Sequence, residues 1–320
     1  SNLIKMMDFN RIVMKLRRTM SEANNIISTN RNLMAAISLV TILINSVLYL
    51  AHVFSLKPFL DDLLVIGRSN PNNLAKLLVD LQRIAGPIIS IMSTFLVLNH
   101  LTFLLLDTTI IIVSATLAPA SKYLFETLIM SLKRPFLTSV LVSMLALGYL
   151  VILAAIILSL ASSSSSSSSA FFFTIICIFA YLLDIYLSMF WKMAIVVSVL
   201  EEVHGLEALG KAEQLLKGMK LHGFVLKLGF ELVYLGLVLV MRAFQKYYFT
   251  PVAIASCTAV KSCICLSGMY GYVAFTVFYY KCKCKNRGEE DVVELPGRID
   301  QYNKLSAGTT TIIDETIIDI

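Results

Sequence analysis

Six stretches of about 20 or more residues carry almost only apolar side chains, at 33–54, 87–117, 136–160, 170–199, 223–244 and 262–280. A helix rises ~1.5 Å per residue, so each can cross a hydrocarbon layer about 30 Å thick. Inside that layer no water satisfies backbone N–H and C=O groups, which leaves helices or closed barrels as the spanning structures. Barrel strands would show short alternating segments, and these runs do not alternate. The expected fold is an all-α integral membrane bundle of about six transmembrane helices with cytosolic amphipathic segments.

Composition agrees. Charged residues are 15% of the chain and hydrophobic ones 57%, against about 25% and roughly 45–50% in soluble domains. The net charge of +6 does not point to nucleic acid, because most basic residues flank apolar runs and no basic-aromatic module occurs. The first apolar run is longer than the core of a cleaved signal and is expected to act as a signal anchor.

Three parts follow. Residues 1–32 form a basic N-terminal segment, 33–280 the transmembrane domain, and 281–320 a polar tail expected to be mostly disordered. Within the first, residues 3–20 mix Leu3, Ile4, Met7, Val13 and Met14 with Lys5, Arg11, Lys15, Arg17 and Arg18. That is the pattern of a basic amphipathic helix on an anionic leaflet, or of a frayed leader that only sets topology. All seven prolines fall outside or at the edge of the six stretches, as intact helices require. Residues 58–83 are expected to lie on the bilayer as short helices. The serines at 162–169 read as a flexible hairpin.

Lys and Arg are concentrated in the N-terminal segment, in the even-numbered connections and beyond residue 280. The positive-inside rule then puts both termini in the cytosol. No peroxisomal, soluble-retention or transit signal redirects the chain, so the endoplasmic reticulum or another endomembrane is expected, with the plasma membrane as the alternative.

Ionisable residues inside the spans draw attention because hydrocarbon penalises them. These are Asp107, Asp184 and Glu231, with Lys192 and Lys227 as partners. Counting from the cytosolic span ends at ~1.5 Å per residue puts Asp107 and Glu231 about 12–15 Å deep and Asp184 about 22 Å deep. They form either a cation or proton site, or interhelical pairs, with Lys227 and Glu231 neighbours at i,i+4 and Lys192 snorkelling to the interface. His52, His100, His204 and His222 are too scattered for a metal motif and read as structural hydrogen-bonding groups. Gly205–Ala212, GLEALGKA, nearly matches a phosphate-binding loop but lacks its hydroxyl residue and a preceding strand. No metal and no cofactor are expected.

Cys282 and Cys284, in KCKCK beside the last span, have the setting of S-palmitoylation sites, with unmodified thiols as the alternative. Cys257, Cys263 and Cys265 lie on the opposite side, where a disulfide could form. Gly229 and Gly236, and Gly268 and Gly271, suggest close helix packing.

The most distinctive stretch is 191–218, WKMAIVVSVLEEVHGLEALGKAEQLLKG. It reads as a span leaving the membrane, a turn at Gly205 and a short helix stopped at Gly218. Leu206, Leu209, Leu215 and Leu216 are expected to face the interface, and Glu207, Lys211, Glu213 and Lys217 water. Its pattern, carried by Trp191, Glu201, Gly205, Ala208, Leu209 and Gly218, resembles the membrane-domain family related to that of bacterial glycerophosphodiester phosphodiesterases. The whole chain looks most like the plant multipass branch, in which six spans, a juxtamembrane cysteine cluster and a Tyr-x-x-Leu element (here Tyr302 to Leu305) would fit. The Ser run and the ending TTTIIDETIIDI depart from that pattern. The resemblance implies no phosphodiesterase activity, which in that family belongs to a separate barrel with a His-Arg motif that this chain lacks. The expectation is a non-catalytic endomembrane adaptor or organiser, with membrane lipids and a protein at the cytosolic face as partners. The alternative is a transporter or channel for a lipid or small solute using the buried acids.

Overall fold

A computed structural model describes residues 2–68, 74–115, 132–163, 167–201, 203–245 and 250–286. Among them are eight helices and no strand: α1 (Asn2–Thr29), α2 (Arg31–Arg68), α3 (Leu74–Ala115), α4 (Lys133–Ser163), α5 (Ser167–Leu200), α6 (Leu206–Leu216), α7 (Lys220–Gln245) and α8 (Pro251–Asn286). Six contain segments long and apolar enough to cross a bilayer: Arg31–Phe59, Ala85–Ala115, Lys133–Ser159, Thr174–Leu200, Lys220–Phe244 and Pro251–Asn286. Large apolar side chains such as Leu39, Leu96, Leu147, Ile152 and Leu239 stay uncovered on them. That inverts a soluble surface and suits lipid contact.

Several boundaries differ from those expected, each for a local reason. Pro58 and Pro87, expected outside or at the edge of the spans, lie inside α2 and α3. Each lacks the N–H that would bond four residues back, so each helix forgoes one backbone bond and continues through it. α2 therefore runs on to Arg68, where short separate helices were expected from residue 58. α8 begins at Pro251, eleven residues before the expected sixth span. The single Lys261 had interrupted an otherwise apolar sequence, and in the structure its ammonium lies over the Tyr49 ring, 5.1 Å from the centroid. α4 and α5 extend into the serine run as far as Ser163 and from Ser167; the centre of that run, Pro71, Pro119, Tyr302–Leu305 and the tail beyond residue 286 lie outside the described residues.

No disulfide links Cys257, Cys263 and Cys265. They share one continuous helix. At 100° per residue, Cys263 and Cys265 point away from each other, while Cys257 is about 9–12 Å along the axis from either.

The chain divides into two compact units. One comprises the described residues within 1–34, 107–232 and 269–320, and the other those within 35–106 and 233–268. The first has the larger core, in which Ile110, Ile111, Met189, Met193, Leu216, Leu226, Phe275 and Phe278 are buried. Here α1 is more than an interfacial segment. Its Thr19, Ala23 and Ile26, at i, i+4 and i+7, are buried, and the Tyr270 hydroxyl donates to the Met20 carbonyl at 3.2 Å. The second unit buries Thr41, Asn45, Leu104, Ala253, Cys257 and Cys265, and His52 packs against Phe95 with centroids 4.9 Å apart.

Candidate functional site

The segment that sequence singled out folds as a clasp. Glu201 follows the last turn of α5 and still donates its N–H to the Val197 carbonyl at 2.7 Å. The chain reverses at Gly205, whose φ of 63° and ψ of −130° strain any residue with a side chain. Its N–H donates to Thr138 Oγ1 on α4 at 2.9 Å, and Thr138 donates in turn to the Arg134 carbonyl at 3.1 Å. α6 then buries Ala208, Ala212 and Leu216, at four-residue spacing. It ends before Gly218, with φ 89°, whose carbonyl accepts a hydrogen bond from Lys285 Nζ at 3.1 Å.

One carboxylate ties three helices together across this turn. Glu201 Oε1 accepts from the Tyr279 hydroxyl at 2.6 Å and from Lys283 Nζ at 3.0 Å, both on α8. Glu201 Oε2 pairs with Lys211 of α6 at 3.4 Å. Lys283 also donates to the Tyr279 oxygen at 2.8 Å. Burial pushes the Glu201 carboxyl up, but the hydrogen bonds from Tyr279 and Lys283, the Lys283 charge and the Lys211 contact outweigh it. The net result holds the carboxyl below its ordinary value.

A second joint holds α1. His222 Nε2 lies 3.3 Å from Thr19 Oγ1, while Thr19 donates to the Lys15 carbonyl at 3.0 Å and accepts from Lys281 Nζ at 3.1 Å. With the Thr19 proton so committed, Nε2 must be the donor to it. Lys281 also pairs with Glu22 at 3.0 Å, and the His222 ring stacks on Phe278 at 5.2 Å. His222 thus has the structural hydrogen bond expected of it.

The intramembrane charges fall into two linked groups within the same unit. Lys227 pairs with Glu231 one turn along α7, as their spacing implied. Asp107 hydrogen-bonds the Tyr272 hydroxyl and faces Lys192. Lys192 turns inward rather than snorkelling, with its Nζ 5.0 Å from the Tyr272 centroid and 5.9 Å from that of Phe275. Asp184 is half-buried and lies within electrostatic range of Glu231 and Lys227 and of Tyr149.

The other residues singled out by sequence are placed as follows. Trp191 and Leu209 are half-buried, and Ala208 is buried. Cys282 is only 1% exposed, with its Sγ 3.9 Å from Met219 Sδ, whereas Cys284 is half-buried. An acyl chain could therefore reach Cys284 more readily than Cys282. Leu216 turns into the protein instead of lying with Leu206, which is 70% exposed. The GLEALGKA stretch is helical from Leu206 onward, so it forms no phosphate loop. Among the described residues no cluster of three or more His, Cys, Asp or Glu could hold a metal ion. Thr138, Tyr279 and Lys283 were not anticipated; the only trace of the last two in sequence is their i,i+4 spacing, which fits any helix.

Helices of this length and hydropathy define a multi-pass α-helical integral membrane protein. The chain belongs to the family described as Domain of unknown function (DUF8558), which matches residues 9–307. No curated protein and no solved structure matches it.

Proposed function

We propose that this protein is a non-catalytic organiser of an endomembrane, working through α6 as a platform on the cytosolic face for one protein partner. The observation that carries this reading is the two-sidedness of α6. Its inner face is anchored by Ala208, Ala212, Leu216 and the Glu201 clasp. Its outer face presents Leu206, Glu207, Gly210, Glu213, Gln214 and Lys217, all exposed. A short helix held at both ends presents those side chains with little entropy left to lose on binding. The lysine and arginine distribution supports a cytosolic placement of this surface and of both termini. The 201–218 pattern supports kinship with the plant multipass branch described above.

The test is a photo-crosslinking residue at position 206 or 214 in native membranes, with position 147 in α4 as the lipid-facing control. The reading expects one discrete protein adduct from 206 and 214, absent from 147 and lost in Glu201→Ala. Only lipid adducts, or the same adducts from all three positions, would refute it. The alternative, a transporter or channel for a lipid or small solute, is favoured by one observation, the linked intramembrane charges.

A further inference from the structure

In the unit drawn from residues 35–106 and 233–268, the spanning stretches contain three basic residues, Lys57, Arg242 and Lys261, and no Asp or Glu. Lys57 and Arg242 are exposed, each two residues from the end of its stretch, where a long side chain reaches the interface. Lys261 differs. It is half-buried, ten residues into α8 from Pro251, and its ammonium turns onto the Tyr49 ring of α2, 5.1 Å from the centroid. Among the described residues its charge is in range of His52 and Cys265 and of no carboxylate.

Two hydrogen-bond acceptors beside it have no donor among the described residues. Asn45 is one turn from Tyr49 on α2 and only 1% exposed. Its Nδ2 donates to the Thr41 carbonyl at 3.0 Å, which leaves Oδ1 buried and unbonded. Asn99 Oδ1 on α3 is buried and unbonded as well. His52 packs against Phe95, and consecutive spanning helices run in opposite directions. Asn99, one turn beyond Phe95, therefore comes level with the stretch between Asn45 and Tyr49. Bare amide oxygens and a cation without a counter-ion are both costly in an apolar interior. One group carrying an anionic oxygen and a hydroxyl would satisfy all three. Val47, Leu98 and Leu101 are exposed alongside. No atom lies within 4 Å of a Cβ built at Gly268, two turns from Lys261 on its face of α8, so an acyl chain has room there.

We infer that Lys261, Asn45 and Asn99 hold the headgroup of one anionic phospholipid that bears a free hydroxyl, drawn from the bilayer. Lys261 pairs with the phosphate, and the two amide oxygens accept from the headgroup hydroxyls. The site is built by α2, α3 and α8 within one unit. It does not depend on the α6 surface or on the organiser reading.

Native mass spectrometry of the full chain in mild detergent tests this by lipid titration. Phosphatidylglycerol is the probe, phosphatidylmethanol supplies the anion without a hydroxyl, and phosphatidylcholine carries no net charge. The expected result is one bound phosphatidylglycerol, held more tightly than phosphatidylmethanol and about tenfold more tightly than phosphatidylcholine. Lys261→Met should remove the preference for both anionic lipids, and Lys261→Arg should keep it. Asn45→Leu should bind phosphatidylglycerol no better than phosphatidylmethanol. Arg242→Met, at the edge of its span, should leave all three affinities unchanged, and each variant should elute with the parent in size exclusion. Equal binding of the three lipids, equal losses in Arg242→Met and Lys261→Met, or displacement of phosphatidylglycerol by inorganic phosphate would overturn the assignment.

Discussion

Replacing Glu201 by alanine should free α6 from the bundle without unfolding the spans. Three contacts are lost together. The hydrogen bond from Tyr279 is short, at 2.6 Å, charge-assisted and buried at the donor, where such bonds contribute about 1.5–3 kcal/mol. The pairs with Lys283 and Lys211 are weaker, because those side chains are 34% and 41% exposed and partly exposed pairs contribute about 0–1 kcal/mol each. The Lys283–Tyr279 bond survives the change and offsets part of the loss. The expected destabilisation is about 2–4 kcal/mol, concentrated on residues 201–218. Hydrogen exchange in detergent should therefore show lost protection in α6 and little change in α5 or α7. Glu201→Gln keeps an acceptor for Tyr279 and should cost about half as much.

pH should act through the same carboxyl. Its folded value lies below its ordinary value of 4.5, so its contribution is fully present above that value and fades as pH falls through the folded one. Exchange of α6 in the parent protein should quicken under acid, and in Glu201→Gln this acid-dependent component should disappear. Unchanged α6 protection in Glu201→Ala would refute the reasoning.

Other substitutions test the packing around this site. A Cβ at Gly223 would sit 2.8 Å from Met189 Sδ and 2.9 Å from Phe278 Cε1, so Gly223→Ala should lower stability by about 1–3 kcal/mol in thermal unfolding. Gly205→Ala meets no atom but must adopt the backbone conformation with φ 63°, and should cost about 1–3 kcal/mol through strain alone. Lys227→Met leaves Glu231 uncompensated and should cost about 3–5 kcal/mol, while adding Glu231→Leu should restore most of it. In the folded protein a thiol reagent should modify Cys284 before Cys282; equal rates would contradict the buried position of Cys282.

The spans were legible because hydrocarbon imposes one requirement over some twenty residues, and no local exception cancels it. The turn at Gly205 and the stop at Gly218 were legible because glycine marks backbone conformations other residues avoid. The inner face of α6 was not. Leucine spacing suggested a stripe through Leu206 and Leu216, but close packing selected the small Ala208 and Ala212, a preference that hydrophobicity does not reveal. The second half of α1 was equally hidden. SEANNIIST looks like a polar linker, yet the helix docks at its start through Thr19, the Met20 carbonyl and Glu22, whose partners Tyr270 and Lys281 lie some 250 residues away. The Lys227–Glu231 pair was readable from spacing alone, whereas the inward turn of Lys192 depends on aromatic rings from α8.

Substituted-cysteine accessibility in sealed membranes tests the central claim, six crossings with α6 and both ends on one side, most directly. With native cysteines replaced by serine, single cysteines are placed at positions 217, 286, 57 and 250. The account expects a membrane-impermeant maleimide to reach 217 and 286 only from the cytosolic side, and 57 and 250 only from the other. Reaction of 217 and 250 from the same side would contradict it.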